Sequence, residues 1–105
     1  MIPTIRILIA DKNPIVRAGI QSILASAADL TVVGEAIDGA DVVLKSRALR
    51  PHVVILALDL PSQHSVSAIL QLKEENPQVN ILVLSERKER EQVAQSLRAG
   101  AVGYL

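Results

Sequence analysis

The chain has 105 residues, which is enough for one domain with a buried core and too few for two. Half of its residues are hydrophobic, yet Tyr104 is the only aromatic one, so the core must be aliphatic. The 11 basic and 11 acidic side chains give a formal net charge of zero, which offers no electrostatic reason to expect nucleic-acid or membrane binding. The sequence has no Cys, which excludes disulfides and thiolate metal sites.

The amino-terminal residues lack the basic region and long apolar core of a signal peptide. No apolar run approaches the roughly 20 residues that a bilayer-spanning helix needs. We therefore expect a soluble cytoplasmic domain that has no membrane partner.

Strand and helix patterns alternate along the chain. Short runs of apolar and β-branched residues predict five strands, at residues 5–10, 31–35, 53–61, 81–84 and 102–105. Apolar residues at helical spacing predict four helices between them, from Asn13–Pro14 to about Ala28, from Asp38 to Pro51, from Val66 to before Asn76–Pro77, and from Glu86 to Arg98. Gly100 is expected just beyond the end of the fourth helix.

This alternation is typical of a parallel sheet with right-handed crossovers. The unbroken apolar run that starts at Val53 predicts a central strand buried on both faces. We therefore predict an α/β fold, a flavodoxin-like doubly wound parallel sheet with strand order 2-1-3-4-5. Because sites in such sheets form at the carboxyl ends of the strands, Ala57 and Asp59 stand where chemistry is expected.

Four segments of the chain resemble the receiver domain of bacterial two-component response regulators, in the NarL/FixJ (LuxR-type) branch. The segments are IRILIADKNP (5–14), VGEAIDG (33–39), RPHVV (50–54) and RAGAVGYL (98–105). The resemblance implies a CheY-like fold in which an Asp at the end of the third strand accepts a phosphoryl group. It also implies two acids after the first strand that hold Mg²⁺, with a Ser or Thr after the fourth strand and a Lys after the fifth that bind phosphoryl oxygens.

The matched positions break this set of groups. Ala57 stands at the phosphoacceptor position, and a methyl group cannot attack phosphorus. Lys12 replaces the second acid and should repel Mg²⁺. The position of the Lys that would bind phosphoryl oxygens after the fifth strand falls beyond Leu105. The retained positions are Asp11, Ser85 and Tyr104, the last of which stands where the resemblance implies an aromatic residue of the fifth strand that changes rotamer with activation. The resemblance therefore implies a degenerate receiver, or pseudoreceiver, with no catalytic residue, no metal and no cofactor.

Two interpretations are open for each of two residues, Lys12 and Asp59, that are expected near Ala57. Lys12 can pair with Asp11 and Asp59 and hold the site in one state, or it can point into solvent. Asp59 can act as a displaced phosphoacceptor, although a solvated or Lys-paired carboxylate is the preferred interpretation.

The remaining candidates have structural interpretations that we prefer. Ser85 is expected to be a hydrogen-bonding residue at a strand end, and Tyr104 a packing residue rather than a rotameric switch. His52 and His64 lack a ligand partner at helical spacing and are expected to be surface or loop residues. The charged run 87–91 predicts a solvated helix face, with a partner surface as the alternative.

We expect a non-enzymatic regulatory module that works by protein–protein contact, with a homodimer as the expected assembly. The resemblance implies control of a DNA-binding transcription-regulator half that is not in this chain, with no direct nucleic-acid contact by this segment. One alternative is a phosphorylatable receiver that uses Asp59 or Asp11. Another is a small-ligand module that uses the vacated pocket around Asp11, Lys12, Ala57 and Ser85.

The domain is expected to cover residues 1–105 and to stop before the fifth helix that the resemblance implies. About half of one face of the sheet would then have no helix packed against it. The side chains that we expect to be partly exposed there are of the type of Val54, Leu56, Ile81 or Val83. A contiguous apolar area of this kind predicts either self-association across that face or a sequence cut from a longer protein.

Overall fold

The computed structural model describes residues 4–57, 65–84 and 90–104. The elements are β1 (Ile5–Ala10), α1 (Pro14–Leu24), β2 (Leu30–Ala36), α2 (Gly39–Leu49), β3 (Val53–Ala57), α3 (Ser65–Glu75), β4 (Asn80–Leu84), α4 (Arg90–Ala99) and β5 (Gly103–Tyr104). The strands form one parallel sheet in the order β2-β1-β3-β4-β5, which confirms the predicted flavodoxin-like topology. That the domain stops before a fifth helix stays a prediction.

The starts of α1 and α2 follow the capping signals in the sequence. The side chain of Asn13 accepts a hydrogen bond from the Ile15 amide at 2.9 Å, and Pro14 opens the helix. The side chain of Asp38 accepts from the Asp41 amide at 2.7 Å. Each cap satisfies an amide that has no partner within the helix, so these two starts were predictable from short-range chemistry.

Helix α1 ends earlier than the sequence pattern predicts. It stops at Leu24 and not near Ala28, so that prediction is wrong. The Ser26 hydroxyl donates to the Ile23 carbonyl at 2.9 Å, and the Ala27 amide donates to the Leu24 carbonyl at 3.1 Å. These short-range bonds close the helix end in a tight turn, which apolar spacing alone cannot reveal.

Gly100 ends α4 where the sequence predicts. Its φ of 123° lies in the region that glycine adopts readily, and its amide donates to the Leu97 carbonyl at 3.1 Å. A Cβ at this position would also lie 2.8 Å from Cγ of Lys73. The predicted start of α4 near Glu86 falls in residues 85–89, which lie outside the described residues.

The two faces of the sheet are covered unequally within the described residues. One face carries the larger core, in which α2 and α3 pack Val42, Val43, Ala68, Ile69 and Leu72 onto the strands. The other face carries a smaller core, in which the partly buried Ile20 and Leu24 of α1 pack near Ile7, Ile9 and Ile55. The apolar core therefore lies mainly on the α2–α3 side.

The side chains predicted to be partly exposed are buried, so that expectation is wrong. Val54, Leu56, Ile81 and Val83 each have no exposed surface and belong to the larger core. Successive side chains of a strand point to opposite faces, so these residues lie under α2 and α3. Their neighbours Val53, Leu82 and Leu84, which the alternation places on the other face, are only half-buried.

We expect the Gly19→Ala variant to be more stable than the unmodified chain by about 0.5–1 kcal/mol. Gly19 lies within α1, and a Cβ added there meets no heavy atom within 4 Å. Alanine removes conformational freedom from the unfolded chain without a steric cost in the helix. Urea unfolding measures the change. Gly100→Ala is the matched control and should be destabilising, because Gly100 has a positive φ and a crowded Cβ position.

Candidate functional site

The candidate site lies where β1 and β3 end side by side. These strands are hydrogen-bonded neighbours, and Ala10 pairs with Leu56 in the ladder. Asp11 and Ala57 are the next residues along each strand direction, so the fold brings them to the same edge of the sheet. Ala57 is only 4% exposed and its methyl group packs with the larger core. The chain therefore presents an apolar carbon at the end of its central strand.

Asp11 is tied into the backbone around it. Its Oδ1 accepts a hydrogen bond from the Asn13 amide at 2.8 Å, which stabilises the turn after β1. Its own amide donates to the Ala36 carbonyl at 3.1 Å and thereby extends the pairing of β1 with β2. Lys12 follows at an exposed position and is engaged in an interaction. The specific pairing of Lys12 with Asp11 or Asp59 stays a prediction.

Arg17 is a site residue that the sequence analysis missed. From α1, its Nη1 donates to the carbonyl oxygen of Asp11 at 2.7 Å, and its Nε lies 3.1 Å from Oε1 of Glu35. On the far side of β2, the Lys45 ammonium of α2 donates to the carbonyl of Glu35. The available signal was a basic residue next to Val16, a core-side position of the helix pattern. A helical wheel cannot reveal which carboxylate it meets.

Ser65 is a second residue that the sequence analysis missed, because the apolar spacing predicts that the third helix begins only at Val66. It is the first residue of α3, and only 1% of its surface is exposed. Its hydroxyl donates to the carbonyl of Ala57 at 3.0 Å. This bond joins the end of β3 to the start of α3, eight positions along the chain. No sequence pattern marks such a contact, because the two residues meet only through the fold.

Asp59, His64 and Ser85 lie outside the described residues. Tyr104 lies in β5, where its backbone pairs with that of Val83, and its packing or switching role stays a prediction.

His52 lies just before the start of β3, at the opposite end of the strands from the candidate site. Its Nδ1 accepts a hydrogen bond from the Arg6 amide at 2.9 Å, and its own amide donates to the Arg6 carbonyl at 2.9 Å. The Arg6 guanidinium in turn donates to the carbonyls of Leu49 and Arg50 at the end of α2. His52 therefore helps to join β1 to the start of β3, far from the carboxyl edge.

The charges at the carboxyl edge of β1 and β2 are of both signs and are largely paired with each other. Lys45 lies 3.2 Å from Asp41, in addition to the pairing of Arg17 with Glu35. In the part of the chain that the structure describes, no three His, Cys, Asp or Glu side chains lie close enough together to hold a metal ion. The described groups suit hydrogen-bonded positioning of the Asp11 turn, and none of them is a nucleophile at the position of Ala57.

Within the same described ranges, no helix combines the length and the apolarity that crossing a bilayer requires.

Residues 7–105 match the family described as the response regulator receiver domain. The chain is 34% identical over 101 residues to YxjL of Bacillus subtilis strain 168, an uncharacterized transcriptional regulatory protein, with 96% of this chain and 46% of the relative covered. The receiver domain of the NarL response regulator from Mycobacterium tuberculosis superposes with a TM-score of 0.92 at 28% identity, covering 98% of this chain and 83% of that one. A LuxR-family response regulator from Aurantimonas sp. SI85-9A1 superposes with a TM-score of 0.91 at 28% identity, covering 96% and 72%.

The chain spans about half the length of the curated relatives that it matches. The match to the family covers nearly every residue, and the solved structures superpose over nearly the whole of this chain. The chain belongs to the response regulator receiver domains and is close to those of the LuxR/NarL type.

Proposed function

We propose that this chain is a receiver-like regulatory domain that works without phosphorylation and without catalysis of its own, by contact with other protein surfaces in the cytoplasm. The observation that carries the proposal is the buried methyl group of Ala57 at the carboxyl end of β3. A phosphoacceptor needs a nucleophilic oxygen at the end of the strand, and alanine has none. The family scaffold is retained around a site that lacks this group.

The charge next to the site supports the same proposal. Lys12 follows Asp11 directly, so an ammonium replaces the second carboxylate that the family resemblance leads us to expect. A positive side chain opposes the binding of Mg²⁺, which prefers several oxygen ligands and at least one carboxylate. Asp11 already accepts a hydrogen bond from Asn13. We infer that the domain has no resident metal at this edge.

We further propose that the domain regulates a DNA-binding half that lies outside residues 1–105. The support is the length of the matched relatives, about twice that of this chain, and the description of YxjL as a transcriptional regulatory protein. The net charge of zero gives the domain itself no general attraction for a phosphate backbone. We therefore assign it a protein-contacting role and no direct contact with nucleic acid.

The protein contact that we propose is a homodimer formed through α1. This helix has no fully buried residue, while Ile15 and Ile23 are 80% and 74% exposed. Gly19 lies midway between these two isoleucines, about one helical turn from each, and leaves open space between them. The two isoleucines are placed symmetrically about Gly19. Two antiparallel copies of α1 can therefore place Ile15 of one copy beside Ile23 of the other.

We expect sedimentation velocity to show a concentration-dependent dimer whose amount does not change when Mg²⁺ and a small phosphodonor are added. The Ile15→Ser/Ile23→Ser variant should be monomeric at the same concentration, because it removes the exposed apolar contact. Leu44→Ser is the matched control, since Leu44 is 64% exposed on α2 at the other face of the sheet. A dimer that appears only with phosphodonor would contradict a phosphorylation-independent role. A dimer that persists in the double variant would show that the interface does not lie on α1.

A further inference from the structure

Helix α1 is attached to the sheet by partly buried apolar side chains and by one charged side chain. Its apolar residues Ile20 and Leu24 reach the smaller core without becoming fully buried. The side chain of Arg17 is only 14% exposed. A charged group that is withdrawn from solvent must be matched by polar partners, so the partners of this guanidinium indicate what it does.

The guanidinium of Arg17 joins three parts of the fold. It extends from α1, its Nη1 donates to the carbonyl of Asp11 at 2.7 Å, and its Nε lies 3.1 Å from Oε1 of Glu35 in β2. The planar guanidinium holds its donors in a fixed geometry, so the two contacts are set relative to each other. The carbonyl of Asp11 is therefore placed relative to both α1 and β2.

Glu35 is a suitable anchor because it is also attached to the opposite face of the sheet. The Lys45 ammonium of α2 donates to its carbonyl and lies 3.2 Å from the carboxylate of Asp41. Oδ2 of Asp41 accepts from the Ile37 amide at 3.1 Å, two residues beyond Glu35. The end of β2 is thereby held by α2, which leaves Arg17 to connect this fixed point to α1 and the Asp11 turn.

We propose that Arg17 is a positioning residue that, with Glu35 as its anchor, fixes the Asp11–Lys12 turn and the first turn of α1. The arrangement uses only side-chain and backbone groups of this chain. The inference stands independently of whether the domain accepts a phosphoryl group, since none of the contacts involves Ala57.

Amide hydrogen exchange measured by NMR tests this role, because the amides of Asp11, Asn13 and Ile15 each have an acceptor in or beside the turn. In the Arg17→Met variant we expect their exchange to accelerate about tenfold, which corresponds to the loss of a hydrogen bond from a charged group. The matched control is Arg47→Met. The Nε of Arg47 also pairs with a carboxylate, lying 2.5 Å from Oε1 of Glu75, but that pair joins α2 to α3. Exchange in the turn should be unchanged in this control.

The Glu35→Gln variant provides an independent test that keeps an acceptor oxygen and removes the charge. It should accelerate exchange in the same three amides, and the double variant Arg17→Met/Glu35→Gln should exchange no faster than Arg17→Met alone. Unchanged exchange in either single variant would overturn the proposal. Acceleration that extends equally to the amides of β3 would also overturn it, since that result would mean a general loss of stability. If Arg17→Met does not fold, Glu35→Gln and Arg17→Lys carry the same comparison.

Discussion

Incubation of the chain with Mg²⁺ and a small phosphodonor is expected to leave its intact mass unchanged. The residue at the carboxyl end of β3 is Ala57, whose methyl group is buried and has no lone pair with which to attack phosphorus. Mass spectrometry measures the result directly, and the Asp59→Asn variant should behave in the same way. Uptake of one phosphoryl group that Asp59→Asn abolishes would contradict the proposal, since the reaction would then have moved to Asp59.

A variant of the same chain tests whether Ala57 and Lys12 together account for the lack of phosphoryl uptake that we expect. We expect the Ala57→Asp/Lys12→Asp variant to gain phosphoryl uptake that the unmodified chain lacks, because it restores an oxygen nucleophile and a second carboxylate for Mg²⁺. Ala57→Asp alone should take up less, because Lys12 still places a positive charge beside the metal position. Equal uptake by the single and double variants would show that Lys12 does not hinder phosphoryl uptake.

The Leu56→Ala variant is expected to lose about 2–5 kcal/mol of its free energy of unfolding. Leu56 lies in the central strand β3, has no exposed surface, and belongs to the larger core. Truncation removes buried methyl groups and leaves a cavity that the surrounding strands can fill only in part. Because a domain of this size has a total stability of about 5–15 kcal/mol, the variant should be largely destabilised.

Urea unfolding followed by far-ultraviolet circular dichroism measures this loss, since the chain has no Trp and a single Tyr. Leu44→Ala is the control, because Leu44 is 64% exposed on the outer side of α2. Its effect should be within about 0.5 kcal/mol. A similar small effect for Leu56→Ala would mean that the larger core relaxes around the cavity and is less closely packed than its burial indicates.

The elements of this fold were predictable wherever a short-range signal defines them. Asn13 and Asp38 cap their helices in the way that their side-chain chemistry predicts, and Gly100 ends α4 with a positive φ. The end of α1 was not predictable, because apolar spacing continues past Leu24 while the hydroxyl of Ser26 bonds the Ile23 carbonyl. Periodicity reports which residues can face a core, and it does not report where a local hydrogen bond closes a helix.

The assignment of residues to the two faces of the sheet required the tertiary structure. The apolar run of β3 indicated burial on both sides, which is correct for residues 54–57. The sequence pattern did not tell which of two neighbouring residues lies under α2 and α3. Leu56 lies there, and Ile55 lies on the side of α1. The direction of each side chain on the pleated strand and the side of the sheet on which each helix packs decide this together, and both are fixed only in the assembled sheet.

By itself, the sequence determined the α/β class, the strand order and the meeting of Asp11 with Ala57 at one edge, because parallel strands end together. It also determined that a methyl group stands at the end of the central strand. Only the tertiary structure decided that Arg17 reaches Glu35 and the Asp11 carbonyl, and that Ser65 bonds Ala57. Those contacts join residues far apart in the chain, and a polar side chain selects its partner by distance and geometry, which linear spacing does not encode.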